Sequence, residues 1–149
     1  MGYSSVTPYM CFKDAAFAIQ FYKAAFGAKE NSRLVAQGNK IVHAEINIAG
    51  TRVMLSDEHP QMGAISAESM GGSPIKLQIF VKDADAFFKK ALAAGATQVR
   101  AVTNEFYGMR SGVISDPFGY AWFIAHQVEN LTHRQIEKRF AKMMPSTGG

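Results

Sequence analysis

The alternation of apolar and polar positions predicts a first structural unit of five elements. Residues 6–12 form a strand-like run, and the residues after it repeat apolar side chains at helical spacing until Gly27. Three further strand-like runs follow at 30–36, 41–48 and 51–56, separated by turns that contain glycine. The first half of the chain is therefore predicted to be strand, helix, strand, strand, strand.

The second half repeats this order. Its strands are predicted at 75–81, 97–102, 111–115 and 120–126, with a helix after the first of them that ends at Gly95. Asp14 and Asp83, 69 positions apart, directly precede the two helices. We interpret both as N-caps, because a carboxylate accepts hydrogen bonds from the free N–H groups of a first helical turn. The chain is predicted to be a duplicated unit whose halves face a shared space.

A third helix is predicted after the second unit. Thr132 and Gln135 have the spacing of a capping box, and Leu131 and Ile136 that of a hydrophobic staple. Ile136 and Phe140 belong to an apolar stripe, in which we expect Phe140 to be a core residue. The stripe is expected to pack on the chain's own sheet or on a second subunit.

The segment between the two units, 57–74, shows little periodicity. It contains Pro60, Gly63, Gly71 and Gly72. Irregular segments of about 15 residues in compact domains are commonly functional or act as linkers. We predict a linker, with a flap over a cavity as the alternative.

Composition places the chain among ordinary globular proteins. It is 48% hydrophobic and 19% charged, and it has no apolar run near the ~20 residues that a membrane span needs. The start of the chain lacks the features of a secretory signal, and a single Cys11 fits a reducing compartment. The net charge of +4 is mild, and its basic C-terminal run, 133–142, is typical of a solvated helix face. A cytoplasmic protein with no membrane or nucleic-acid partner is predicted.

Several stretches carry a family resemblance. They are Phe12–Gly27, Ile41–Ile46, Leu55–Glu58 and Asp116–Gly119. With the duplicated unit, they resemble the vicinal-oxygen-chelate superfamily of glyoxalases, drug-resistance proteins and extradiol dioxygenases. More narrowly, they resemble its PhnB-like glyoxalase/bleomycin-resistance branch, over about residues 4–145.

The resemblance implies an α+β fold of two βαβββ modules whose curved sheets form a paired cup, followed by a C-terminal helix. We divide the single domain 1–149 accordingly. The first module spans 4–58, the linker 59–73, the second module 74–128 and the C-terminal helix 131–144. A homodimer that binds a small-molecule ligand is the expected assembly.

Metal-using members carry a His or Gln on the first strand of each module and a Glu on the last. Thr7 and Lys76 fall near the two first-strand positions. Phe123 falls where the second Glu is expected, and the matching position of the first module lies near Met54–Ser56. A shift of one or two residues would bring in Gln78 but no carboxylate. None of these residues is a good ligand, so we expect neither a metal nor a cofactor.

His43 and Glu45 lie two positions apart on one predicted strand and therefore point to the same side. They could bind a metal, or act as a base and the group that orients it. The favoured alternative is a polar row that is hydrogen-bonded across strands or faces solvent. Cys11 has no identifiable His neighbour to activate it and is predicted to be a core thiol.

The segment 106–110 is a second candidate for ligand binding. Phe106 and Tyr107 offer flat apolar surfaces, and Arg110 can hold a carboxylate or phosphate bidentately. Burial of the aromatic rings in the core and an internal ion pair of Arg110 are the equal alternative. Trp122 and Phe123 alternate, so one should face the cup and the other the helices.

These observations lead to one functional prediction and two alternatives. We predict a metal-independent binding protein of the bleomycin-resistance type that sequesters an apolar or aromatic ligand, with antibiotics among the candidates. Its predicted ligand-binding residues are His43, Glu45, Phe106, Tyr107, Arg110, Trp122 and Phe123. The first alternative is a lyase, isomerase or transferase of glyoxalase type with a divalent ion at a non-standard site. The second is an interaction protein that uses its terminal helix.

Overall fold

A computed structural model describes residues 2–145, in which each half of the chain forms a four-stranded mixed sheet. The first sheet contains β1 (Tyr9–Phe12), β2 (Lys29–Val35), β3 (Ile41–Ile48) and β4 (Thr51–Asp57). The second contains β5 (Leu77–Phe80), β6 (Thr97–Asn104), β7 (Met109–Ser115) and β8 (Ala121–Gln127). The helices are α1 (Ala15–Phe26), α2 (Ala67–Met70), α3 (Ala84–Ala94) and α4 (His133–Met143). The predicted α+β architecture of two βαβββ units and a C-terminal helix is confirmed.

The two sheets have the same topology and the same register. Their strand orders are β1-β4-β3-β2 and β5-β8-β7-β6, with one parallel pair in each. Tyr9 lies opposite Met54 in the first parallel pair, and Gln78 lies opposite Phe123 in the second. Each residue of the second pair follows its counterpart by 69 positions, which is also the spacing of the two helix caps. The duplication therefore extends to individual strand partners.

Both long helices begin at a repeated set of acceptors. Asp14 and Asp83 cap α1 and α3, as predicted. A second acceptor comes from the end of the last strand of each unit: Asp57 accepts the N–H of the first residue of α1, and Nδ1 of His126 accepts that of α3. Each helix start is thus fixed to its own sheet, because these N–H groups have no partner inside the helix.

One apolar core joins the two halves. Helices α1 and α3 pack against each other, and each also packs on its own sheet. Apolar residues of both sheets and both helices form a single cluster of buried side chains. Aromatic rings are prominent where the halves meet: Phe26 of α1 stacks on Phe87 of α3 and contacts Trp122 of β8 edge-on.

A buried carboxylate, Asp116, connects the halves by hydrogen bonds. Its Oδ2 accepts from Tyr22 Oη of α1 at 2.5 Å and from Trp122 Nε1 at 2.8 Å. Its Oδ1 accepts from the backbone N–H groups of Phe118 and Tyr120 in the turn that follows. Burial raises the pKa of Asp116, while these four donors favour its charged form. The turn at 116–119 thus also anchors α1 to the second half.

Strand β3 departs from its predicted alternation at its first residues. Strict alternation with Ala44 and Ile46 would place Val42 on the helix side, but Val42 is exposed and Ile41 is buried instead. The register between β2 and β3 shifts here, since Leu34 pairs with His43 whereas the next residue, Val35, pairs with Ile41. A bulge reverses the sides to which side chains point. Beyond it, the predicted alternation holds.

The segment between the sheets is more ordered than its sequence suggests. It contains a short 3₁₀ turn at Pro60–Met62 and the one-turn helix α2. Ser66 caps α2, and the carboxylate of Glu58 accepts from Ser66 N at 3.0 Å and from Ser69 Oγ at 2.8 Å. A side chain–backbone anchor of this kind carries no periodicity, which explains why pattern analysis missed it.

Helix α4 has the predicted capping box of Thr132 and Gln135. Phe140, however, is 49% exposed, so its prediction as a core residue is wrong. Its ring contacts Phe106 at a centroid distance of 5.6 Å, and Arg139 pairs with Glu129. The helix therefore lies on the β6–β7 turn of its own chain. Within residues 2–145, no helix combines the length and the apolarity needed to cross a membrane.

The Asp116 network predicts a large stability difference between two aspartate variants. Asp116→Ala leaves four donors without an acceptor, and each buried unsatisfied group costs on the order of 1–3 kcal/mol, so we expect unfolding free energy to fall by about 3 kcal/mol or more. Asp85→Asn is the control, because its exposed ion pair with Arg110 contributes about 1 kcal/mol or less. Urea unfolding measures both. Equal losses would contradict the role given to Asp116.

Candidate functional site

The open face of the first sheet, opposite the helices, carries most of its polar side chains. Tyr9 of β1 lies beside Met54 of β4, which in turn pairs with Glu45 of β3. His43 lies two residues before Glu45 on the same strand, and both side chains point to this face, as predicted. The sheet register thus brings together side chains from three strands.

Three of these side chains form a hydrogen-bonded chain. Tyr9 Oη lies 2.9 Å from His43 Nδ1, and His43 Nε2 lies 2.9 Å from Glu45 Oε2. The rings of Tyr9 and His43 are tilted by 51° with centroids 5.5 Å apart. Both imidazole nitrogens are therefore engaged, one by a phenol and one by a carboxylate. We call Tyr9, His43 and Glu45 the open-face triad.

Two further residues hold the carboxylate of the triad in place. Tyr3 Oη donates to Glu45 at 2.8 Å, and Arg52 Nη1 donates to Glu45 Oε1 at 2.9 Å. Hydrogen bonds from His43, Tyr3 and Arg52 lower the pKa of Glu45 to about 2. The bond to Glu45 in turn raises the pKa of Tyr3. Glu45 is consequently an anion at neutral pH.

The charge of Glu45 decides the tautomer of His43. A carboxylate can only accept hydrogen bonds, so the proton between the two residues belongs to His43 Nε2. In the neutral imidazole, Nδ1 then keeps its lone pair and accepts the hydroxyl proton of Tyr9. The arrangement is an oriented base with a hydroxyl group hydrogen-bonded to it.

A largely apolar cavity of about 480 Å³ lies at the junction of the two units. Residues 6–10 form one wall, and residues 72–75 form another. The remaining lining residues are Ile65, Ala67, Met70, Leu77 and Tyr120. We call this space the linker cavity. Because Tyr9 lies in the first wall, the cavity adjoins the open-face triad.

Comparison with known proteins identifies the family. The family model of the glyoxalase/bleomycin resistance protein/dioxygenase superfamily matches residues 6–124. The chain belongs to this superfamily. The resemblance seen in the sequence is confirmed, and the fold described above is the paired-module fold of the superfamily.

Relatives extend over nearly the whole chain. An uncharacterized protein of Mycobacterium bovis is 39% identical over 136 residues, which cover 89% of this chain and 90% of that protein. A crystal structure from Arabidopsis thaliana has a TM-score of 0.68 at 29% identity, over 83% of this chain and 98% of that one. A Bacillus cereus structure, described as a PhnB protein and putative 3-demethylubiquinone-9 3-methyltransferase, has a TM-score of 0.65 at 17% identity, over 83% and 99%. The last shows a common fold only.

The positions that hold metal in metal-using members of the superfamily do not suit a metal ion here. Lys76 Nζ lies 5.6 Å from the ring centre of Phe123, so a cationic group and an aromatic ring occupy the second-module position. In the first module, the hydroxyl of Thr7 donates to the carbonyl of Ser4, and Met54 brings no carboxylate. Among residues 2–145, no group of three or more His, Cys, Asp or Glu side chains could hold a metal ion. These donors do not fit the superfamily's N/O coordination site.

Trp122 and Phe123 point to opposite faces of β8, as their alternation predicted. Trp122 is buried among the helices and donates to Asp116. Phe123 lies on the open face of the second sheet and is half-buried. The inclusion of Trp122 among the ligand-binding residues is therefore corrected, because its ring and its N–H are both used in the core.

The other predicted binding residues lie away from the triad. Arg110 forms a bidentate ion pair with Asp85 of α3, at 2.6 and 2.8 Å, which is the internal pairing foreseen as an alternative. Phe106 packs on α4, and Tyr107 is 38% exposed in the β6–β7 turn. The structure does not bring the seven predicted residues together. His43 and Glu45 share a hydrogen bond, and Phe106 and Tyr107 pack edge-on against each other in a different part of the molecule.

Sequence analysis missed Tyr3, Tyr9 and Arg52. Tyr9 lies two residues before Cys11, so alternation places both on the same face of β1. Cys11 is indeed half-buried on the open face, with its Sγ 4.0 Å from Ser56 Oγ, and not in the core as predicted. The alternation of β1 could have indicated Tyr9. No local signal indicates Tyr3, which reaches Glu45 from the N-terminal segment.

The depressed pKa of Glu45 predicts a loss of stability in acid. Because the folded-state pKa lies below that of an unfolded glutamate, the stabilisation is present above the unfolded value and disappears as pH falls from about 5 toward about 2. We expect the stability difference between the wild type and Glu45→Gln, measured by urea unfolding, to shrink over this interval. His43→Gln should weaken the pH dependence, because it removes the largest cause of the shift. A difference independent of pH would contradict the assignment.

Proposed function

We propose that the protein binds an apolar or aromatic small molecule in the linker cavity, without a metal ion. The observation that carries this proposal is the cavity itself. Its volume of about 480 Å³ falls within the range of about 300–1,000 Å³ that is usual for small-molecule sites. Apolar walls with few polar groups favour a ligand of matching character.

The inner walls of the linker cavity are already formed. Tyr120 Oη donates to the carbonyl of Cys11 at 2.9 Å, which joins the second unit to β1. Gly119 has a φ of 91°, and a Cβ atom there would lie 3.4 Å from Ala67 Cβ, so α2 packs closely on the turn. Walls fixed in this way spare a ligand the entropic cost of ordering them.

The outer rim of the cavity consists of exposed apolar side chains. Val6, Met70 and Ile75 all line it and are largely exposed. Apolar groups concentrated at the rim of a pocket are typical of a binding surface. These exposed residues support the alternative prediction for the linker, in which it forms a flap that closes over a bound ligand.

The ligand contacts that we propose differ from those predicted from sequence. Tyr9 and Tyr120 are the aromatic residues that line the cavity, and Phe106 and Tyr107 do not line it. His43 and Glu45 adjoin it through the hydrogen bond of His43 to Tyr9 and can set the polar contacts of a ligand. Phe123 stays a proposed contact on the open face of the second sheet.

The role we propose is sequestration of an antibiotic or another aromatic compound in the cytoplasm by a homodimer. Exposed apolar residues on the two sheets, such as Leu34, Val42 and Phe80, support association of two copies. The poor fit of the superfamily's metal positions supports binding without a metal, and no observation favours the metal-dependent enzyme.

Two methionines of the same segment provide a matched test of the cavity. Met70 lines the cavity, whereas Met62 is exposed outside it. We expect Met70→Ala to weaken binding of the probe 8-anilinonaphthalene-1-sulfonate roughly fivefold, because contact with part of a methionine contributes on the order of 1 kcal/mol. Fluorescence titration should show no change for Met62→Ala. Equal effects of the two substitutions would place the probe elsewhere.

Removal of divalent ions tests the second part of the proposal. We expect the affinity for the same probe to be unchanged after dialysis against EDTA, because the walls of the linker cavity supply no metal-ligand set. Addition of Zn²⁺, Ni²⁺ or Mn²⁺ should leave it unchanged as well. Loss of binding that a divalent ion restores would contradict a metal-independent site.

A further inference from the structure

The open-face triad has a geometry that ligand sequestration does not require. A hydroxyl lies within hydrogen-bond distance of an imidazole nitrogen, and the other imidazole nitrogen is held by a carboxylate. This pattern of contacts is the one by which a nucleophile, its base and the group that orients the base are recognised. It identifies such a triad on any fold. Tyrosine is among the side chains that form covalent intermediates in enzymes.

Tyr9 is the member of the triad that is most accessible to a reactant. Tyr9 is 52% exposed and lies in the wall of the linker cavity. The base behind it is shielded on its other side, because His43 Nε2 is covered by the buried Glu45. Tyr3 and Arg52 fix that carboxylate in turn. The exposed end of the triad is therefore Tyr9.

The other four tyrosines lack this environment. Tyr22 donates to the buried Asp116, and Tyr120 donates to a backbone carbonyl. Tyr3 donates to Glu45, and the hydroxyl of Tyr107 has no protein partner within residues 2–145. In the part of the chain that the structure describes, Tyr9 alone is hydrogen-bonded to an imidazole. Its placement is thus specific to one tyrosine of five.

We propose that Tyr9 is an activated nucleophile that accepts acyl groups from small esters with an apolar or aromatic leaving group. His43 is the base, and Glu45 is the positioning residue. The oxygen of Tyr9 attacks the ester carbonyl carbon, and its proton passes to His43 Nδ1. The bond from carbon to the leaving oxygen then breaks, and the leaving group takes that proton; when the leaving group departs as an anion, His43 Nδ1 gives the proton to solvent water.

The acyl group is afterwards released by water. His43 Nδ1 accepts a proton from a water molecule, and the oxygen of that water attacks the acyl carbon. The bond from the acyl carbon to Tyr9 Oη then breaks, and His43 Nδ1 returns its proton to the Tyr9 oxygen. The products are a carboxylic acid and the original phenol, so no oxidant, reductant or other reactant is needed. This activity goes beyond sequestration, and it depends on the triad independently of how tightly the linker cavity binds a ligand.

Acetylation by p-nitrophenyl acetate tests the proposal within one molecule. We expect mass spectrometry after a brief exposure to show Tyr9 acetylated at least about tenfold faster than Tyr107, since a positioned base typically contributes 10²–10⁴-fold. Tyr107 is the internal control, because it is exposed but has no base beside it. Comparable acetylation of the two residues would overturn the proposal.

Two substitutions separate the roles within the triad. His43→Gln keeps a hydrogen-bonding group beside Tyr9 but removes the base, so the rate ratio of Tyr9 to Tyr107 should fall by at least about tenfold. Glu45→Gln should lower the ratio less, and Glu45→Asp should restore part of it. A ratio that survives His43→Gln would exclude His43 as the base.

Acetylation and probe binding, measured separately, distinguish this proposal from the proposed binding function. Tyr9→Phe removes the nucleophile, so it should abolish acetylation at position 9. The binding proposal is tested separately, by the effects of Met70→Ala and Met62→Ala on the affinity for 8-anilinonaphthalene-1-sulfonate. Unchanged release of p-nitrophenolate by Tyr9→Phe, with no preferred acetylation of Tyr9 in the wild type, would overturn the acyl-transfer proposal and leave the binding proposal standing.

Discussion

The arrangement of the two halves depends on one buried carboxylate. Asp116 accepts four hydrogen bonds, and the one from Tyr22 comes from the other half of the chain. A buried carboxylate without such donors would be costly, so the turn at 116–119 and helix α1 are held together. Tyr120, in the next position, then reaches the carbonyl of Cys11 and closes one side of the linker cavity. The cavity follows from the way the halves are joined.

The two halves share a backbone plan but differ in the chemistry of their open faces. Tyr9 and Met54 of the first sheet correspond to Gln78 and Phe123 of the second, in the same register. The helix-facing sides of both sheets stay apolar, because they share one core. Divergence is therefore concentrated on the faces that the core does not constrain. The superfamily's metal positions lie among these faces, and here their residues are poor ligands.

Tyr9 belongs to both of the proposed functional features of the molecule. It lines an apolar cavity, and its hydroxyl belongs to a hydrogen-bonded chain with His43 and Glu45. An apolar ligand in the cavity would thus lie next to an oriented base and a phenol. The proposed ligand binding and the proposed acyl transfer would both involve Tyr9. Neither requires a metal ion, because the anionic Glu45 provides the charged group of the triad.

The sequence by itself determined the duplicated plan, the helix caps at Asp14 and Asp83, and the side to which His43 and Glu45 point. These features are local, since capping and periodicity act over a few residues. Only the tertiary structure decided which side chains meet. Tyr9 and His43 are 34 positions apart, and the bulge at the start of β3 and the pairing across β4 set their contact. Periodicity shows which face a residue occupies, but its neighbours on that face come from other strands, and strand register fixes them.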